Sequence, residues 1–288
     1  MNAHHADSQP PPPAAWFDED ETVRALDFGF AVTFADFEAA LRLLHDRYVW
    51  RGYMAPDPSG RRLSLHNALP TTKLVVAKAE GRVVGLLTVF EDSCLGLPMD
   101  EAFGAELGRL RERGRRLAEA SSLTVEPNYR SSGIPISVRL LRVGVLYAAR
   151  IAYLDELCFT LHPRHREFYE RLFPFCWFAE PRPYRRLHVP PVYGLRMDLA
   201  LVRALCRAER AGLSPGPNSH FLCGPESDQV VARLRRDLPR SALTPSEWAR
   251  LFADAGERGP EHAESRTTQL EALVGAVHTN AGGCPRCS

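Results

Sequence analysis

The stretch "VEPNYRSSGIP", Val125 to Pro135, follows a strand-like run, "EASSLT" (119–124), and precedes a helix-like run, "ISVRLLRVGVLYAAR" (136–150). A strand, a turn carrying Arg130-Ser131-Ser132-Gly133 and a helix start together make an anion-binding shape. The first turn of a helix presents unpaired N–H groups and a partial positive charge. The amides of Ser131, Ser132 and Gly133 can turn towards one cluster of oxygens. Gly133 permits close approach and Arg130 adds a charged donor. Pro135 suits a first helical turn but offers no N–H. Alone, an Arg-x-x-Gly turn has low specificity, and an ordinary strand-to-helix connection shares it.

The neighbouring segments give the turn a context. Upstream, "TTKLVVAKAEGRVVGLLTVFED" (71–92) holds two β-rich runs around Glu80-Gly81, a hairpin pattern. Before it, a short strand over 28–32 leads into "TFADFEAALRLLHDRYVWRGY". There Phe37, Leu41, Leu44 and Tyr48 recur at helical spacing, with Thr33 or Asp36 as cap. "MDEAFGAELGRLRERGRRL" (99–117) is a basic helix. Downstream come a strand "ELCFTL", a short helix in "PRHREFYERLF", and strands in "PFCWFAE" and "VYGLRMDL". The order β, α, hairpin, α, β, α, β, α, β, β implies a mixed α/β (α+β) fold with a sheet of about seven strands.

The expected organisation is a disordered, Pro-rich terminus over 1–22, an α/β domain over 23–200, a helical appendage over 201–255 and a loose tail over 256–288. In the appendage "LTPSEWARLFADAG" carries a capping box, Thr244 to Glu247.

The chain has 288 residues, 45% hydrophobic and 25% charged, with a net charge of +1. That composition fits a globular protein and gives no global field for nucleic acid or membrane. No apolar run approaches the ~20 residues that span a bilayer, and no signal peptide opens the chain, so a cytoplasmic location is expected. Seven scattered cysteines suggest reduced thiols. Cys284-Pro-Arg-Cys287 is a lone CxxC without a second ligand pair, so no metal is expected.

Taken with the turn, five segments carry a resemblance: "LHDRYVWRGYM", "LGLPMDEAF", "LAEASSLTVEPNYR", "LHPRHREFYERLFPF" and "EPRPYRRLHVPPVYGLRMDL". In this order they are similar to the N-acyl amino acid synthases of the FeeM type, GNAT-superfamily relatives of the acyl-homoserine-lactone synthases. The resemblance covers about residues 28–200. It implies a GNAT-like, mostly antiparallel sheet flanked by helices. It also implies transfer of a long acyl chain from an acyl carrier protein to an amino acid amine. The co-substrate would be acyl-phosphopantetheine, with acyl-CoA as the alternative and no permanent cofactor. Pro135 stands where that superfamily usually has a second small residue. This suits one phosphopantetheine phosphate better than the pyrophosphate of CoA.

Acyl transfer to an amine needs a base, an oxyanion donor and an acid for the leaving thiolate. The resemblance points to Glu119 as base, at the start of the strand that ends in the anion turn. An ion pair with Arg115 or Arg116 is the alternative reading. It places Tyr169 near the thioester sulfur as acid, with His165 as a second candidate; packing of Phe168 and Tyr169 competes. The donor's phosphate would sit on Val125, Arg130, Ser131, Ser132 and Gly133. Backbone N–H groups from Leu123 to Val125 would hold the oxyanion. Tyr48, Trp50, Tyr53, Ser121 and Leu123 would meet the substrates. Arg109, Arg113, Arg116, Arg139 and Arg142 form a candidate docking patch for an acidic carrier, against the plainer reading of a solvated helix face. Ser122 replaces the family's Arg and Pro174 its Gly. These departures leave a lactone synthase and a catalytically inactive acyl- or carrier-binding module as competing expectations.

Overall fold

The computed structural model describes residues 25–129, 136–165, 168–169, 173–184, 191–213 and 216–253. The turn over 130–135 and the CxxC near the C-terminus lie outside these residues. Strand β1 (Asp27–Phe30) leads into α1 (Phe34–Trp50). Thr33 caps α1 by a reciprocal pair: its hydroxyl accepts from the Asp36 N–H at 3.1 Å, and Asp36 accepts from the Thr33 N–H at 3.2 Å. The expected hairpin is β2 (Lys73–Ala79) and β3 (Arg82–Glu91). Glu80 and Gly81 both have positive φ, 50° and 81°, the two-residue turn whose twist matches the strands.

Helix α2 (Asp100–Glu112), β4 (Leu117–Val125), α3 (Ile136–Arg150), β5 (Glu156–Leu161), β6 (Phe175–Arg182) and β7 (Val192–Asp198) follow. The seven strands form one sheet in the order β1-β2-β3-β4-β5-β7-β6. Only β4 and β5 pair in parallel; every other neighbour is antiparallel. The mixed, mostly antiparallel sheet is thus the expected one.

Helix α3 covers one face over the largest core, which includes Leu87, Ala118, Ala120, Leu141 and Leu195. On the other face α1 packs through Phe37 and Leu41 onto Leu74, Val76 and Leu86. Nearby, α2 packs through Phe103 and Leu107 beside Phe90 and Cys158. A Cβ at Gly144 would stand 2.8 Å from Leu87 Cδ2, so α3 lies closer to β3 than any side chain there would permit.

Two features of β4 open the sheet. Its pairing with β5 runs from Leu117↔Glu156 to Ala120↔Phe159 and stops, although both strands continue. On its other edge Leu86 pairs with Thr124 and Thr88 with Ser121, so Ser122 and Leu123 together oppose Leu87. That is a β-bulge, which bends and twists a strand. Ser122 sits in the left-handed region at φ 60°, a conformation costing about 1–2 kcal/mol for a non-glycine residue. The strands therefore part from residue 121 onwards.

Four further helices follow: α4 (Leu199–Arg210), α5 (Pro217–Cys223), α6 (Glu226–Asp237) and α7 (Pro245–Ala253). They share the cores of the sheet. Val202, Leu222 and Leu234 join the α3 side, and Trp248 meets Phe37 edge to face at 5.9 Å. Arg233 grips both carboxylate oxygens of Asp27 on β1. One sequence expectation is corrected here. Cys206 and Cys223 are not free thiols but form a disulfide between α4 and α5, with Cα atoms 4.7 Å apart. The scattered spacing hid the pairing, because it depends on how two helices of the appendage pack. No described helix is long and apolar enough to cross a membrane.

Candidate functional site

Where β4 and β5 part, a cavity of about 710 Å³ passes through the sheet. Its α3 side is apolar: Leu87, Ile136, Leu141, Phe159, Phe175 and Leu195 line it. Its other side is polar and aromatic, and comes mainly from the end of α1: Arg47, Tyr48, Arg51 and Tyr53. The splayed strands supply Ser121 to Val125 on one wall and Thr160, Leu161 and His162 on the other, and His165, Tyr169 and Tyr184 complete the lining. No Asp or Glu lines this cavity among the described residues.

The bulge ties the two sides together. The Tyr48 hydroxyl lies within electrostatic reach of the Ser122 side chain, and burial raises that hydroxyl above its ordinary pKa. The Tyr48 ring stands edge to face against Tyr53 at 5.7 Å, with the Arg62 guanidinium 5.0 Å from its centre. Burial also pushes the Tyr169 hydroxyl up to about 12, so it stays protonated across the physiological range. The rings of His162 and His165 lie 6.1 Å apart. The Arg51 guanidinium donates to the Tyr53 hydroxyl at 3.4 Å.

Several residues expected from sequence meet in this cavity: Tyr48, Tyr53, Ser121, Leu123, Val125, His165 and Tyr169. Arg130, Ser131, Ser132 and Gly133 fall outside the described residues. Trp50 does not line the cavity; it is 69% exposed, with the Arg47 guanidinium 4.3 Å over its ring. Helical spacing explains the difference: Tyr48 and Trp50 are about 200° apart around α1.

Glu119 is placed differently from the expectation. It is fully buried and absent from the lining, and its Oε2 accepts from the Met99 N–H at 2.7 Å. Its charge still reaches Tyr48 and is one cause of that hydroxyl's raised pKa. It therefore lies one layer beneath the α1 side of the cavity, anchoring the chain that enters α2. The alternative pairing of Glu119 with Arg115 does not form either. Arg115 binds Glu156 at 2.7 Å and Asp198 at 3.2 Å.

The docking patch is also corrected. Helices α2 and α3 cover opposite faces of the sheet, so Arg109 and Arg139 cannot share one flat surface. Arg142 is only 6% exposed and lies over the Phe221 ring at 5.1 Å, covered by α5. Arg116 is spent on the carbonyls of Ala152 and Tyr153 at 3.0 and 3.3 Å. Arg109 and Arg113 remain exposed at the end of α2.

Sequence reasoning missed Arg47, Arg51 and His162. Arg47 and Arg51 are four apart on α1 and flank Tyr48, so a closer reading of that helix's second face would have found them. His162 directly follows β5, and only the splay turns it inward.

The comparisons with known proteins come to the same place. The sequence profile described as "FeeM: N-acyl amino acid synthase FeeM" matches residues 39–198, more than half the chain. Comparison with curated protein sequences gives no match. Among solved structures, that of FeeM, an N-acyl amino acid synthase from uncultured soil microbes, superposes with a TM-score of 0.53 at 21% identity. The match covers 61% of this chain and 91% of that one. An acyl-CoA N-acyltransferase from Pseudomonas aeruginosa gives 0.44 at 14% identity, over 60% and 99%. The CoA-dependent acyl-homoserine lactone synthase BjaI gives 0.44 at 16%, over 66% and 91%. A parted β4–β5 pair holding a through-sheet cavity, within a profile match of this extent, identifies the chain as a member of the FeeM N-acyl amino acid synthase family and as an acyltransferase.

Proposed function

We propose that the chain transfers a long acyl group from the phosphopantetheine thioester of an acyl carrier protein to the amine of an amino acid. Both substrates are bound together, and the amine attacks directly. The single observation that supports this best is the polarity of the cavity. One side is apolar enough for an acyl chain, the other is cationic with no carboxylate among the described residues, and the parted strands join them.

In this reading the thioester lies between β4 and β5, with its acyl chain against Leu141, Phe159 and Leu195. The acceptor lies on the α1 side, its carboxylate on Arg51 and Arg47. Arg51 then takes the part that the family's Arg would play where this chain has Ser122. The amine nitrogen bonds to the thioester carbon, and the oxyanion rests on backbone N–H groups of the bulge, residues 122–124. The C–S bond then breaks. The proton lost by nitrogen passes to His162 or His165 and on to the sulfur, leaving an amide and a free thiol. Neutral imidazoles are suited to that relay. Tyr169 donates a hydrogen bond to the developing thiolate. Its hydroxyl, at about 12, is too weak an acid to hand its proton outright to a thiolate near 8.5. Glu119 is a positioning residue beneath Tyr48.

The acceptor assignment is tested by Arg51→Ala. Losing a charge-assisted hydrogen bond worth about 1.5–3 kcal/mol raises the amino-acid KM by roughly 10- to 100-fold. The donor KM stays the same. An unchanged amino-acid KM removes Arg51 from the acceptor site.

A further inference from the structure

A second cavity, of about 290 Å³, lies at the opposite end of α3 from the first. Ser137 lines the first cavity and Arg150 the second, so roughly 20 Å of helix separates them. Five arginines converge on it: Arg150 from α3, Arg203, Arg207 and Arg210 from α4, and Arg235 from α6. Tyr153, 58% exposed, stands beside them. Four of the five lie beyond residue 198, where the family match ends.

Among the described residues a single carboxylate pairs with any of these arginines. Asp228 accepts from Arg150 and from Arg210, each at 2.5 Å. Arg203 and Arg235 are partly explained as caps for the end of α3. Arg203 donates to the Ala149 carbonyl at 3.4 Å and to the Leu154 carbonyl just beyond at 2.8 Å, and Arg235 donates to the Arg150 carbonyl at 3.2 Å. A guanidinium has five N–H donors, so both retain most of theirs. The Arg207 guanidinium has no hydrogen bond or ion pair to any described residue, and capping does not account for it. Five cations held against one carboxylate repel one another, at a cost that an anion removes.

We infer that this cavity binds a phosphate group. Planar guanidinium forks match phosphate oxygens in pairs, and a phosphate's charge of about −1.5 to −2 meets the excess better than a carboxylate does. The phosphate belongs either to a soluble phosphorylated compound or to an anionic lipid headgroup.

Wild type and Arg207→Glu are compared in phosphate-free buffer, with sodium pyrophosphate against sodium chloride of equal ionic strength. Both proteins are also tested for co-sedimentation with phosphatidylglycerol and phosphatidylcholine vesicles. Arg207 is exposed and its guanidinium is unpaired among the described residues, so its reversal leaves the fold intact. Without phosphate the variant melts at or above wild type, because its carboxylate relieves the repulsion. Pyrophosphate at a hundredfold excess over its Kd raises the wild-type midpoint by roughly 5 °C or more, and Arg207→Glu loses that rise. Loss of the pyrophosphate response assigns a soluble ligand. Co-sedimentation with phosphatidylglycerol alone, lost in Arg207→Glu, assigns a headgroup. Equal responses of the two proteins, as from binding at the turn over 130–135, or no response to either probe, overturn the site.

Discussion

Ser122, at the bulge of β4 where φ is 60°, stands within electrostatic reach of the Tyr48 hydroxyl near the end of α1. The contact joins the helix that carries Arg47 to the strand against which the thioester is proposed to lie. The strained backbone at Ser122 marks the bend where the sheet parts.

Ser122→Gly separates these two roles. Glycine adopts the left-handed region freely, so the bulge survives and folding stability holds or rises by about 1 kcal/mol. The Ser122 hydroxyl beside Tyr48 is lost, and the amino-acid KM rises several-fold. Ser122→Val cannot adopt this backbone without strain, so it straightens β4 and abolishes transfer. Thermal melts and steady-state kinetics on both variants check this. An active Ser122→Val detaches the bulge from catalysis.

Glu119 and the two imidazoles make opposite predictions. Glu119→Gln leaves a buried amide beside the Met99 N–H, which lowers stability by about 1–3 kcal/mol. The variant keeps the shape of its pH–rate profile. Replacing His162 and His165 with Gln together lowers kcat/KM by roughly 100-fold and removes the acid limb of that profile. If Glu119→Gln removes the limb instead, the base is the buried carboxylate.

Tyr169 gives a test in alkali. Its folded-state hydroxyl titrates at about 12, against 10.0 for an ordinary tyrosine. Between these values the unfolded chain releases a proton that the native chain keeps bound. Stability is therefore lost as pH rises through that window. Tyr169→Phe has no such proton, so its melting temperature falls less between pH 9 and pH 11. Identical falls in both proteins contradict the burial assigned to this hydroxyl.

The sheet was legible because its signals are local. The Glu80-Gly81 turn, the Thr33 cap and the runs ending at Val125 and Leu161 each carry their own pattern. The site was legible in part. Tyr48, Tyr53, His165 and Tyr169 came from matching segments, and all four line the cavity. Glu119 shows the limit. Strand alternation assigns a face, but the loop before α2 decides whether a residue on that face meets the cavity or a Met99 N–H. Arg142 misled for a similar reason, since α5 and its Phe221 come from a distant segment. The Cys206–Cys223 pairing has the same non-local origin.

The central claim is amide formation from a thioester at the parted strands. The most direct measurement supplies purified protein with a long-chain acyl carrier protein thioester and a mixture of amino acids, and reads products by mass spectrometry. The account predicts an N-acyl amino acid formed at the rate of free carrier thiol. Release of free fatty acid alone, or no loss of thioester, would contradict it.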